Sequence, residues 1–151
     1  MAQVNLDSLW SVWNNPDQED SAKFSALLAY SWEGYLFKQP DSAYYYAQIL
    51  YDAAEEKGNK KFMAKALNVQ GSSFYVKGEF EKATSFYNRV VAMLGEIGDS
   101  VGVRTGLNNL GALSQKMGKP LSALRYYEKF LEVDRGLNNK HFVSETLNNM
   151  G

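Results

Sequence analysis

The stretch Leu107-Asn108-Asn109-Leu110-Gly111 has a counterpart forty residues upstream in Leu67-Asn68-Val69-Gln70-Gly71, and another forty residues downstream in Leu147-Asn148-Asn149-Met150-Gly151. Leucine, asparagine and glycine thus recur in three columns at one fixed interval, the mark of a repeat architecture. The same interval links Gly78 to Gly118, Ala43 to Ala83 and Ala123, Tyr46 to Phe86 and Tyr126, and Leu50 to Val90 and Phe130. Each unit closes on Gly58, Gly98 or Asn138, followed by Asn59, Asp99 or Asn139.

These columns have helical spacing. Ala83, Phe86, Tyr87, Val90 and Leu94 stand at i, i+3, i+4, i+7 and i+11, one face of a helix. Upstream, Met63, Leu67, Gly71 and Phe74 form a second stripe, repeated by Val103, Leu107, Gly111 and Ser114. Each unit is therefore a helix A followed by a helix B. Gly78 and Gly118 supply a left-handed residue to end helix A, and Pro40 and Pro120 sit where helix B begins and an amide is dispensable. Gly58, Gly98 and Asn138 are expected to end helix B in the same way, with Asn59, Asp99 and Asn139 capping the next helix A.

The pattern predicts helices over about 5–14, 20–37, 41–57, 60–77, 80–96, 100–117, 120–136 and 140–150, and no strand. In domain terms, residues 1–19 form an N-terminal capping helix whose stripe is Leu6, Leu9, Trp10 and Trp13. A degenerate repeat 1 follows over 20–59, then repeat 2 over 60–99, repeat 3 over 100–139, and the first helix of a repeat 4 over 140–151. The two tryptophans are read as covering the open face of the first repeat, with anchoring a partner as the alternative.

Composition narrows the function. Hydrophobic residues make up 45% of the 151, which fits a folded core rather than a disordered chain. Sixteen Lys and Arg against 17 Asp and Glu leave a formal charge of −1. Such a chain has no basic field with which to displace counterions from a nucleic acid, and none is expected as a partner. No apolar run approaches the ~20 residues of a membrane helix. The absence of cysteine removes disulfides, thiolate metal sites and thiol nucleophiles, and leaves the compartment open. His141 is the only histidine and reads as a residue of a helix's first turn rather than a ligand or general base. Asp17, Glu19 and Asp20 precede a helix and suit its positive end better than a cation site. No glycine cluster has the form of a phosphate loop. No enzyme activity, metal or cofactor is expected.

Small Gly71, Gly111 and Gly151 on helix A, small Ala83 and Ala123 on helix B, and aromatic Tyr87 and Tyr127 four residues later resemble the tetratricopeptide repeat. The resemblance implies an all-α fold, a right-handed superhelix of antiparallel helix pairs. It covers two full repeats from about Lys60 to Asn139, a degenerate one from about Asp20, and half of another ending at Gly151. Repeat 1 departs from it at Ser31 in the glycine column, Lys38 at the turn and Ala47 in the aromatic column. The forty-residue unit and the phrase Leu107-Asn108-Asn109-Leu110-Gly111 resemble the subclass of kinesin light chains, cell-polarity adaptors and bacterial signalling proteins. The N-terminal third, with Asp7-Ser8-Leu9, Trp13-Asn14 and Gly34-Tyr35-Leu36-Phe37, resembles repeat regions that precede bacterial cyclase or histidine-kinase domains. On that parallel, Ala2-Gln3 looks like the start of a mature chain after a removed export signal, with Met1 added, and the location is cytoplasmic or periplasmic with a lean to export.

A second, mostly polar stripe runs along helix A. Lys65, Asn68, Ser72 and Tyr75 are spaced i, i+3, i+7 and i+10, and Thr105, Asn108, Ala112 and Gln115 repeat that spacing. A solvated helix face is the plain reading of such a stripe. The resemblance implies instead that these columns line a groove in which asparagines hydrogen-bond the backbone of a peptide. The candidate peptide-binding residues are Lys65, Asn68, Ser72, Tyr75, Arg104, Thr105, Asn108, Gln115 and Asn148, with Asn109 and Asn149 read as interrepeat contacts. In repeat 1 the columns hold Ser25, Leu28, Trp32 and Tyr35, so a partner needs an apolar anchor at one end. The expected function is a protein-interaction module within a bacterial signalling protein, and the alternative is a structural self-association module. A homodimer is expected because Val143, Leu147 and Met150 leave a helix A with apolar surface and no helix B.

Overall fold

The structure, a computed structural model, describes the backbone of residues 5–150 and the side chains of residues 5–138. Seven helices follow one another among the described residues: α1 (Leu6–Asn14), α2 (Asp20–Tyr35), α3 (Pro40–Glu56), α4 (Lys60–Val76), α5 (Phe80–Glu96), α6 (Ser100–Lys116) and α7 (Pro120–Met150). The fold is an all-α helical repeat. It divides into two compact units, Met1–Met93 and Leu94–Gly151.

Helix ends follow the residues that were expected to set them. Gly58, Gly78, Gly98 and Gly118 adopt φ of 65, 78, 75 and 70°. After each of them the chain closes with an amide bonded five residues back, as in Glu79 N–H to the Phe74 carbonyl at 2.9 Å and Lys119 N–H to the Ser114 carbonyl at 2.9 Å. This is the glycine-terminated helix ending in which two orphan carbonyls are satisfied. Asn59 caps α4 by accepting from Phe62 N–H at 3.2 Å, and Asp99 caps α6 by accepting from Gly102 N–H at 2.9 Å. Pro40 opens α3.

Two turns differ. After α2, where Lys38 stands at the glycine position, no left-handed residue is present and the Tyr35 carbonyl accepts from both Lys38 and Gln39 N–H groups at 3.1 and 2.7 Å. At Asn138 the expected break is absent: α7 continues from Pro120 to Met150 as one helix. Asn visits the left-handed region only at a cost that glycine avoids, whereas continuing the helix adds one hydrogen bond per residue. The separate helix expected over 140–150 is therefore a continuation of α7.

In the first unit, α1 lies on α2, α2 on α3 and α3 on α4, with α2 also adjacent to α4. Phe24, Leu27, Leu50, Ala54, Phe62, Met63 and Ala66 form one buried cluster, and Leu36, Ala43, Ala47 and Val69 another. Trp13 packs on the first cluster, and Trp10 meets Tyr30 at a tilt and Tyr46 edge-on, at 5.1 and 5.9 Å between ring centres. The repeat positions explain how closely the helices approach. A side chain at Gly71 would meet Tyr87, and Ala83 is fully buried. In repeat 1 the same two columns hold Ser31 and Ala47, both fully buried. There, volume added at the glycine column is removed at the aromatic one. In the second unit α6 packs on α7, with Leu107, Leu110, Leu113 and Ala123 buried and Gly111 against Tyr127.

Candidate functional site

On α4 the polar stripe divides. Lys65 is exposed, with Nζ 4.9 Å from the centre of the Phe62 ring, and Tyr75 is exposed with its ring 5.4 Å from Phe80. Asn68 between them is half-buried. Its amide has no hydrogen-bond partner among the described residues. Ser72 departs from the expected groove position: only 8% of it is exposed, and its hydroxyl lies 3.0 Å from that of Tyr87. Gly71 is the cause, since its missing side chain admits the Tyr87 ring over α4 far enough for the phenol to reach the neighbouring residue. Burial raises the Tyr87 pKa, and the Ser72 hydrogen bond opposes that rise.

Repeat 1 contributes less to the surface than its sequence implied. Leu28 packs against both buried clusters, and the Tyr35 hydroxyl is 3.1 Å from that of Tyr30 in a group of rings completed by Tyr46. That hydrogen bond, with burial, pushes the Tyr30 pKa upward. Ser25 and Trp32 remain exposed, the indole at 37%. Because α2 and α4 are adjacent, the first unit presents an aromatic residue, a lysine and a solvent-accessible amide on neighbouring A helices.

On α6, Asn108 and Thr105 are exposed, and Thr105 donates its hydroxyl proton to the Val101 carbonyl at 3.0 Å. Gln115 is exposed and accepts from the Tyr127 hydroxyl at 3.1 Å, which leaves its amide N–H groups free to donate. Arg104 is occupied: its guanidinium donates to Asp134 at 2.9 Å across to α7. Asn109, read as an interrepeat contact, is exposed. Asn148, Asn149, His141, Val143, Leu147 and the Met150 side chain lie outside the described side chains.

In the acidic run before α2, Glu19 stands at the N-cap without a side-chain capping hydrogen bond. Asp17 N–H bonds the Asn15 side chain at 2.9 Å, and Asp20 lies in the first turn of α2, 3.8 Å from Lys57. No group of three or more His, Cys, Asp or Glu among the described residues is arranged to hold a metal ion. No helix among them is long and apolar enough to cross a membrane.

The crystal structure of the tetratricopeptide domain of Arabidopsis FLU superposes with a TM-score of 0.65 and 16% identity, covering 76% of this chain and 96% of that one. No family model matches the chain, and no curated protein matches it. The fold is thus tetratricopeptide-like.

Sequence reading missed the ring cluster of Trp10, Tyr30, Tyr35 and Tyr46, although the run Tyr44-Tyr45-Tyr46 signalled aromatic packing on two sides of α3. It also passed over the outer face of α7, where Leu121, Leu124 and Leu131 are exposed.

Proposed function

We propose that this chain is a protein-interaction module that takes a peptide or protein segment on the exposed face of its A helices and carries out no chemistry of its own. The observation behind this reading is Asn68, a partly exposed residue whose amide has no protein partner among the described residues and stays open to solvent. A partner laid over such an amide would desolvate it at about 1–3 kcal/mol unless it supplied a hydrogen bond in place of the lost water. Other side-chain amides of the fold are engaged, as Gln70 is with Gln48 at 2.8 Å and Asn88 with the Thr84 carbonyl at 3.0 Å. Asn108 repeats the column forty residues on and is open to solvent. A peptide backbone offers both the donor and the acceptor that such an amide needs. In the first unit Lys65 and Tyr75 add polar groups on the helix of Asn68 and Trp32 supplies an apolar anchor on α2; in the second, Thr105 and Gln115 stand on the helix of Asn108. Ser72 and Arg104 serve the fold.

The resemblance of the N-terminal third supports reading the module as the regulatory or sensory part of a bacterial signalling protein. Any cyclase or kinase chemistry would then belong to a separate domain. The test uses peptides selected on the wild-type chain from a random display library. Asn68→Ala with Asn108→Ala is expected to weaken them roughly tenfold or more, with helical circular dichroism unchanged. Equal affinity for the double variant would refute the groove reading. Self-association is a second reading, favoured by the exposed leucines of α7.

A further inference from the structure

Toward α6, α7 uses Ala123, Tyr127 and Asp134, which meet that helix by burial, by the Gly111 contact and by the Arg104 pair. A different face of α7 carries Leu121, Leu124, Glu128, Leu131, Arg135 and Asn138 at alternating steps of three and four residues, the spacing of a single helical face. Leu121 is 72% exposed, Leu124 54% and Leu131 46%. Glu128 and Arg135 are exposed and make no ion pair among the described residues. A lone exposed leucine needs no explanation, but three on one helix face mark a contact surface.

The order of charges on this face identifies its occupant. A parallel pairing of two α7 helices would set Glu128 against Glu128 and Arg135 against Arg135, a repulsive arrangement. An antiparallel pairing centred on Leu131 reverses this. With a rise of about 1.5 Å per residue, Glu128 lies about 4.5 Å to one side of Leu131 and Arg135 about 6 Å to the other. Each glutamate of one copy then stands within side-chain reach of an arginine of the other. Leu124 and Asn138 are equidistant from the centre, so each Leu124 faces an Asn138.

We propose that this face of α7 is a self-association surface occupied by α7 of a second copy, antiparallel, with Leu131 on the two-fold axis and reciprocal Glu128–Arg135 pairs on either side. Two-fold contacts require a surface to complement itself, and the sequence leucine, glutamate, leucine, arginine does so in the antiparallel sense alone. The inference does not depend on the peptide-binding reading. Its residues lie outside that face, so either proposal can fail without the other.

Sedimentation equilibrium of the full chain over a wide concentration range tests it. A monomer–dimer equilibrium is expected, and Leu131→Lys, at an exposed position, should shift it to monomer with circular dichroism unchanged. Glu128→Arg and Arg135→Glu should each weaken the dimer roughly tenfold or more, because each turns both reciprocal ion pairs into like-charge contacts, and combining them should restore it. A strict monomer at high concentration overturns the proposal. So does a dimer that ignores the single reversals, or one that the combined reversal fails to restore, since the contact then lies elsewhere, as in an exchange of the 139–150 segment.

Discussion

Gly71 on α4 lies against the ring of Tyr87 on α5, so closely that a Cβ built at Gly71 would be 2.8 Å from the ring and 3.1 Å from the Cβ of Phe86. The second of these contacts cannot be relieved by rotating a flexible side chain. Gly71→Ala therefore opposes two effects, a gain of up to about 1 kcal/mol in helix propensity and an overpacking cost of about 1–3 kcal/mol. The cost is expected to win, with a net loss on the order of 1 kcal/mol in denaturant titrations. In a Tyr87→Leu background the same change should cost less, because the ring is gone; equal costs in both backgrounds would show that the approach of the two helices is not set by this pair.

Ala83 tests the same crossing from the other helix. It is fully buried, and Ala43 and Ala123 occupy its column in the neighbouring units with almost no exposure. Ala83→Leu inserts three carbons where neither helix can retreat without moving its hairpin partner, and a loss of about 1–3 kcal/mol is expected. Unaltered thermal stability would count against a close crossing at this column.

Alkaline pH should weaken the fold through Tyr87. Burial lifts this phenol above its ordinary value near 10, so the folded chain holds the proton more tightly than the unfolded chain. The contribution is intact below about pH 10 and is lost as pH rises through the raised pKa. Thermal melts from about pH 8 upward should show Tm falling beyond pH 10. Tyr87→Phe, which cannot ionise, starts lower for want of the Ser72 hydrogen bond but should fall less steeply. Tyr30 and Lys77 shift in the same direction, so the slope is reduced rather than abolished. Parallel curves would show that Tyr87 does not couple folding to pH.

The helical repeat was legible because its determinants are local or strictly periodic. Gly58, Gly78, Gly98 and Gly118 stop helices through their own backbone conformation, and Asn59 and Asp99 cap helices three residues away. Asn138 was misread as a stop because position in the repeat suggested one, although Asn lacks glycine's freedom and nothing in Asn139-Lys140-His141-Phe142 obstructs a helix. The candidate face was legible only as a column of residues. Spacing along α4 places Ser72 beside Asn68, but it does not reveal that Tyr87, fifteen residues later, covers the hydroxyl. The leucines of α7 escaped notice because the forty-residue period has Glu81, Thr84 and Val91 in their columns, so the apolar face is a property of this helix rather than of the repeat.

Arg104 offers a direct separation of fold from binding. By column it was a candidate peptide contact, yet its guanidinium donates to Asp134 at 2.9 Å, with both side chains about two-thirds buried. An ion pair so placed contributes modestly, about 0.5–1 kcal/mol after solvent screening. Arg104→Met keeps most of the aliphatic stem while removing the charge, and Asp134→Asn removes the other partner. Each single variant should lower stability by about that amount, and the double variant should lose less than the sum of the two, as expected of residues in contact. Affinity for peptides selected on the wild-type chain should stay within about twofold in Arg104→Met, whereas Lys65→Met, which removes an exposed ammonium lying over the Phe62 ring on the helix of Asn68, should weaken acidic ligands several-fold at low salt and less at high salt. The opposite pattern, peptide affinity lost with Arg104 while stability is unchanged, would return this arginine to the binding face and show that the Asp134 pair is displaced when a ligand arrives.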